Sequence, residues 1–232
     1  MTHALVSRQW KLTGNLTSAN DVTVAIAEHI AKDVDTFIKR MNQRAQELGM
    51  TDTEFHSVHG LPPGRGQHFD RSTARDLLKL ALELLNHPEY LDWASVRLDS
   101  FRNGTFQLLN TNHRLMRNYK GMDGMKTGYH RKGGFSLVAT AKRNERRFVS
   151  IVMGVKSSRL RSKLTRMLLD EGFQKYKQVS LDVQLGMSPL SIEVDKGSSL
   201  VSVNFSISFV ISFDSSVGIS PVSCLMAETS ES

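Results

Sequence analysis

Two apolar runs, Phe135–Lys142 and Phe148–Val155, constrain the fold of this chain most, because each repeats with a period of two or less and only a short polar turn, Arg143-Asn144-Glu145-Arg146, separates the strands. Runs of this kind around such a turn predict an antiparallel β-hairpin. Helical patterns lie on both sides of it. ValThrValAlaIleAlaGluHisIleAla (22–31) reads as a buried helix with Asn20 or Asp21 as its cap. Val34, Ile38, Met41, Ala45 and Leu48 then step at helical spacing up to Gly49. Leu61-Pro62-Pro63-Gly64 and Gly66-Gln67-His68 are loop signals. Ser72 or Thr73 opens the next helix, with Leu77, Leu78, Ala81, Leu82 and Leu85 on one face and Pro88 as its stop. After the hairpin, Ser158 caps a helix expected to turn Leu160, Leu164, Met167 and Leu168 inward and to end at Gly172. Helices before and after an antiparallel sheet make an α+β order.

The 232 residues, 40% of them apolar, suffice for one packed domain and a remnant, or for two small domains. All 30 lysines and arginines lie before residue 197, whereas the remainder carries twelve serines and only Asp214, Glu228 and Glu231 as charges. The organisation expected is therefore 1–16 unassigned, without helical or strand periodicity, 17–178 a main domain, and 179–232 a Ser-rich β-type tail. Within that tail, Val201, Val203, Phe205, Ile207, Phe209, Ile211 and Phe213 alternate like a long half-buried strand.

A net charge of +7 suits any polyanionic partner and chooses none. Arg159, Arg161, Lys163 and Arg166 form a basic stripe, but no aromatic residues interleave with it, so it reads as a solvated helix face and nucleic acid is not an expected partner. His56, His59 and His68 lie in a Gly/Pro loop without a regular ligand frame and read as solvated, so neither a metal nor a cofactor is expected. The lone Cys224 excludes an internal disulfide. The first twenty residues hold no apolar run like a signal-peptide core, and Leu200–Phe213 falls short of the ~20 apolar residues a membrane helix needs.

Chemistry-bearing residues gather at two places. Ser18-Ala19-Asn20 sits in a turn ahead of a helix, so that a hydroxyl and an amide two residues apart can point into one cleft. Lys126-Thr127-Gly128 precedes the hairpin on what reads as an edge strand, where an extended peptide can add as one more strand. Lys126 supplies a cation and Thr127 a donor for a carboxylate, and Gly128 keeps the backbone approach clear. Alone, each tripeptide is a common surface turn. No lysine of the chain has a serine three residues before it, so a nucleophile and base in Ser-x-x-Lys spacing are missing.

Read together, SerAlaAsnAspValThrValAlaIleAlaGluHis, GluLeuGlyMetThrAspThr, HisGlyLeu, SerThrAlaArgAspLeu, AsnThrAsn, GlyMetAspGlyMetLysThrGlyTyr and GluGlyPhe resemble, in order and spacing, the D-alanyl-D-alanine carboxypeptidases of the low-molecular-mass penicillin-binding protein type. The resemblance runs from about Thr17 to Tyr176. It implies a β-lactamase/transpeptidase-like α+β domain, present in part, with an antiparallel sheet and flanking helices. It also implies a serine peptidase that removes the terminal D-alanine of peptidoglycan stem peptides through an acyl-enzyme, is inhibited by β-lactams, and works in the cell envelope or periplasm or on the outer face of the cytoplasmic membrane.

By the same resemblance, Ser18 would shuttle the proton to the leaving D-alanine and Asn20 would hold the substrate amide. Lys126, Thr127 and Gly128 would orient the terminal carboxylate, with Arg161 as an added basic partner. The family's Ser-x-x-Lys, its export signal and its membrane anchor are not matched by this sequence, and the chain therefore reads as a gene fragment or a rearranged reading frame. Two other readings stand beside it: an inactive remnant that binds peptidoglycan or β-lactam weakly, and a β-lactamase-type hydrolase. HisGlyLeu and SerThrAlaArgAspLeu favour the carboxypeptidase branch over the second.

Overall fold

The computed structural model describes residues 10–101, 103–144 and 146–176, together with the strand segments Ser191–Ile192, Val201–Ser202 and Ser223–Glu228. Five helices come first: α1 (10–16), α2 (Asn20–Ala31), α3 (Val34–Glu47), α4 (Ala74–Leu85) and α5 (Pro88–Ala94). A small hairpin of β1 (Leu98–Phe101) and β2 (Phe106–Leu109) follows, then α6 (His113–Asn118). The main sheet is built from β3 (Met122–His130), β4 (Gly134–Arg143) and β5 (Arg146–Val155), and α7 (Ser158–Lys175) crosses it. The short segments above are β6, β7 and β8 in chain order. The rest of the alternating stretch, 203–213, lies outside the described residues.

The main sheet has the order β3-β4-β5-β8, with antiparallel pairing through β5 and β8 (Ser223–Glu228) parallel to it. The expected hairpin is thus present, with Arg143 opposite Arg146. Its runs are nearly unbroken in apolar character because both sheet faces are covered. Phe148, Leu137, Ala139 and Ala141 pack with Leu169 and Phe173 of α7, while Val149 and Ile151 point the other way onto Ala74 and Ala81 of α4. Adjacent residues of β5 therefore serve two cores, the period-two geometry of a strand buried on both sides. Arg147 clamps three strands by donating to Asp123 of β3 at 2.9 Å and to Thr140 of β4 at 2.9 Å.

Several local expectations need revision. Residues 10–16 form a helix whose Leu12 and Leu16, one turn apart, are buried against Leu108. About two turns are too short to display a repeat. Neither Asn20 nor Asp21 caps α2, since Asn20 is already helical and Ala19 occupies the cap. Thr73 caps α4 by accepting the Asp76 N–H, and Pro88 opens α5 at its first turn, where a missing N–H costs nothing. The cap of α7 is Ser157, not Ser158, and the helix continues past Gly172 to Lys175. Its buried face is Arg161, Thr165, Leu169, Gly172 and Phe173, whereas Leu160 and Met167 are exposed. A binary pattern scores Arg161 as polar surface and so assigns its face to solvent, although an arginine stem can be buried while its head group serves a cleft.

The connection between α3 and α4 is held by polar groups. Asn42 clamps Phe55 in both directions at 2.7 Å, and Asp70 accepts from the backbone N–H groups of His56 and Ser57 at 2.6 and 2.9 Å. Asp76, fully buried, accepts from Asp52 N and Thr53 Oγ1 at 2.8 Å and pairs with Lys79 at 3.0 Å. Burial pushes its carboxyl up, and the hydrogen bonds from Thr53, Lys79 and Asp52 outweigh that and hold it below the usual carboxylate range. A depressed value contributes stability above the unfolded-state value of ~3.9 that is lost as pH falls through the folded one. Asp76→Ala should therefore lower unfolding free energy by about 2–4 kcal/mol at pH 7 and by clearly less at pH 3. Urea denaturation at both pH values checks this; an equal loss at the two would refute it.

Candidate active site

Ser18 stands in the short link between α1 and α2 with a left-handed backbone, φ 58°, a conformation that non-glycine residues rarely adopt. From the far side of the fold, Lys126 on β3 reaches across 108 residues of sequence and donates from Nζ to Ser18 Oγ at 2.6 Å. It also donates to the Thr127 carbonyl at 3.1 Å. Among the described residues no carboxylate pairs with it, and burial alone brings the Lys126 ammonium down from 10.5 to about 8.

All six residues singled out from the sequence, Ser18, Asn20, Lys126, Thr127, Gly128 and Arg161, line one open cleft of about 1520 Å³. β3 is an edge strand of the main sheet among the described residues, as expected for the Lys126-Thr127-Gly128 segment. Thr127 Oγ1 lies 2.7 Å from Thr111 Oγ1, and either can donate. A methyl group built on Gly128 would meet only Ser136 Cβ at 3.8 Å, an ordinary contact, so internal packing does not require glycine there. What a side chain would occupy is the cleft side of the strand edge.

Arg161 contradicts the solvated-stripe reading. It is only 9% exposed, its Nε has no hydrogen-bond partner among the described residues, and burial lowers its pKa, while Arg159, Lys163 and Arg166 stay exposed. Two largely desolvated cations, Lys126 and Arg161, thus share a cleft with no carboxylate of the described residues bound to either. Buried charges are normally paired. A pair left without counterions is suited to receive an anion from outside.

The α3–α4 connection lines the same cleft with Thr53, Glu54, His59 and Asp70. His59 is exposed and accepts the Leu61 N–H, and His56 stands beside Glu54 at 3.3 Å, half-buried. Thr111 was missed as a site residue. Asn110-Thr111-Asn112 was visible as a motif, but its partner on β3 is set by tertiary approach, which spacing does not reveal. Here Asn110 donates to the Ala94 and Val96 carbonyls at 3.2 and 2.9 Å and so fixes the turn that presents Thr111.

Residues 5–157 match the peptidase S11 family, D-alanyl-D-alanine carboxypeptidase. The chain belongs to this family. Among its curated relatives, D-alanyl-D-alanine carboxypeptidase DacF of Bacillus subtilis is 33% identical over 185 residues, covering 78% of this chain and 46% of the relative. DacC of Escherichia coli is 36% identical over 165 residues, covering 70% of this chain and 40% of that protein. The chain thus spans less than half the length of these curated relatives. The ampicillin-bound crystal structure of penicillin-binding protein D2 from Listeria monocytogenes superposes with a TM-score of 0.65 at 32% identity, covering 72% of this chain and 66% of that one. The penicillin-binding, transpeptidase-like α+β fold expected from the motifs is therefore the fold of this carboxypeptidase-family chain.

The electrostatic reading of the cleft can be checked directly. In an NMR titration, the Lys126 side chain should lose its proton with a midpoint near 8, while lysines in water keep the ordinary value of ~10.4. A Lys126 midpoint above 10 would show that the ammonium is solvated or already paired.

Proposed function

We propose that the cleft receives the C-terminal D-Ala-D-Ala of a peptidoglycan stem peptide, as the substrate-holding half of a serine D-Ala-D-Ala carboxypeptidase. The observation that carries this reading is the pair of desolvated cations, Lys126 and Arg161, beside the Thr127 hydroxyl at an open sheet edge. The terminal carboxylate lies against these three groups, and the peptide backbone adds to β3 as an outer strand. Asn20 holds the substrate amide from the other wall. Ser18, hydrogen-bonded to Lys126 Nζ, passes a proton to the leaving amine.

In the complete reaction a serine oxygen attacks the carbonyl between the two D-alanines, and the C–N bond breaks. Terminal D-alanine leaves with the relayed proton, and water then hydrolyses the acyl-serine ester. The nucleophile and its base belong to the family's Ser-x-x-Lys, a pattern this sequence does not contain. That observation favours a second reading for the chain taken alone, a non-catalytic module that binds the peptide terminus or a β-lactam without turning it over. In both readings the place of action is the cell envelope, where stem peptides are. No helix among the described residues is long and apolar enough to cross a membrane.

The catalytic reading is tested in a hybrid enzyme with a family segment carrying Ser-x-x-Lys joined ahead of Thr17. Lys126→Ala should slow acylation by penicillin and by D-Ala-D-Ala peptide together, on the order of 10²-fold, as loss of a preorganised electrostatic donor does. Lys142→Ala, exposed on β4 outside the cleft, should stay within a few-fold of the parent. Equal effects of the two substitutions would sink the assignment of Lys126.

A further inference from the structure

No serine of this sequence stands one helical turn before a lysine, yet the fold brings a serine and a lysine together from positions 108 residues apart. Ser18 Oγ and Lys126 Nζ are 2.6 Å from each other, and both residues line the open cleft. A second bond, to the Thr127 carbonyl at 3.1 Å, fixes the Nζ atom. A hydroxyl within hydrogen-bond reach of an amine is the pairing that activates a nucleophile, provided that the amine exists in part without its proton. Lys126 meets that condition. Burial brings its ammonium down to about 8, so that roughly a tenth of the chains carry the free amine at pH 7. Of the ionisable groups lining the cleft, among them Glu54, Asp70, Arg71, His130 and Arg161, none contributes to that shift.

The backbone at Ser18 has the form that exposes a nucleophile. Its left-handed φ of 58° turns the chain between α1 and α2, and a non-glycine residue held there carries strain. A strained serine on a sharp turn that runs into a helix is how other hydrolases present the attacking oxygen, and the N–H that follows it donates to the carbonyl oxygen under attack. Here α2 begins at Asn20, and its cap residue Ala19 offers no side-chain hydrogen bond. The N–H groups of Ala19, Asn20 and Asp21 donate to no acceptor among the described residues. Unpaired donors and the positive end of the α2 dipole therefore stand beside Ser18, while the Asp21 carboxylate of that first turn is exposed.

We infer that Ser18 and Lys126 form a serine–lysine dyad of their own, and that this chain is acylated at Ser18 by thioesters and aryl esters without any Ser-x-x-Lys segment. Ser18 Oγ bonds to the acyl carbon, its proton passes to the unprotonated Lys126 Nζ, and the carbonyl oxygen takes negative charge against the N–H groups at the start of α2. The C–S or C–O bond of the donor then breaks, and the departing thiolate or phenolate takes up the proton from Nζ. Water next attacks the Ser18 ester and gives a proton to Nζ, the ester C–O bond breaks, and Ser18 Oγ recovers that proton as the carboxylic acid leaves. Thioesters and aryl esters suit the pair because their leaving groups depart as stable anions, whereas an amide nitrogen must first be protonated. Lys126 acts here as a base, a role that does not depend on its serving as a cation for a peptide carboxylate.

The test treats the full chain with S-phenyl thioacetate, a neutral thioester, in a Cys224→Ser background that removes the lone competing thiol. Intact-mass and peptide mass spectrometry locate the acetyl group, and thiophenol release gives the rate. One acetyl group per chain should appear on Ser18, and the rate should rise with pH and level off above a midpoint near 8. Lys126→Arg keeps a cation in place but cannot accept a proton, and it should slow acylation by about 10²-fold or more, as loss of a positioned base does. Ser18→Ala should remove the adduct, and Ser18→Cys, which supplies a stronger nucleophile, should restore it. A parent chain with no acetyl group on Ser18, an adduct confined to lysine side chains, a rate without an inflection near 8, or a Lys126→Arg chain as fast as the parent would each overturn the dyad. None of these results touches the peptide-terminus reading, which the Lys126→Ala hybrid enzyme decides.

Discussion

The hydrogen bond from Lys126 to Ser18 is the contact on which the arrangement of the cleft depends. It joins a left-handed link between two helices to the edge of a sheet assembled much later in the chain, and it does so with a desolvated charge. Removing an unpaired ammonium from water costs several kcal/mol. No carboxylate of the described residues offsets that cost at Lys126, and none is bound to Arg161. The fold therefore holds a region of unsatisfied positive potential at the cleft, supported by a sheet buried on both faces and by the Arg147 clamp across three strands.

The α3–α4 connection, which also lines the cleft, is stabilised differently. Few large apolar residues between α3 and α4 are buried, and the chain there is shaped by carboxylate and amide side chains that accept backbone N–H groups, as Asp70, Asp76 and Asn42 do. Such a segment keeps its form without a core of its own because each buried polar group is matched. Its conformation is consequently tied to charge state, whereas the sheet's is tied to packing.

That contrast explains what could be read in the sequence. The β4–β5 hairpin and α3 were legible because apolar periodicity reports directly on burial, and the two tripeptides were legible because their chemistry is local. The buried face of α7 was not, since Arg161 places a charged head in a cleft on a helix face that a binary pattern assigns to solvent. Helix α1 escaped because two leucines one turn apart make no repeat. Thr111 acquires its significance only from what stands across from it, which depends on a turn fixed by Asn110.

The paired hydroxyls of Thr111 and Thr127 share one hydrogen bond and leave one proton over, whichever of them donates. Either oxygen can be the donor. With the Thr127 proton directed at Thr111, the Thr111 proton is the one left over and Thr127 offers only lone pairs. With the Thr111 proton directed at Thr127, the Thr127 proton is released toward the cleft. Exchange between the two needs only rotation about two C–O bonds, a motion of picoseconds to nanoseconds at exposed side chains. The sheet edge can thus change which hydroxyl carries the spare proton without moving a strand atom, and an arriving acceptor meets a surface already in place.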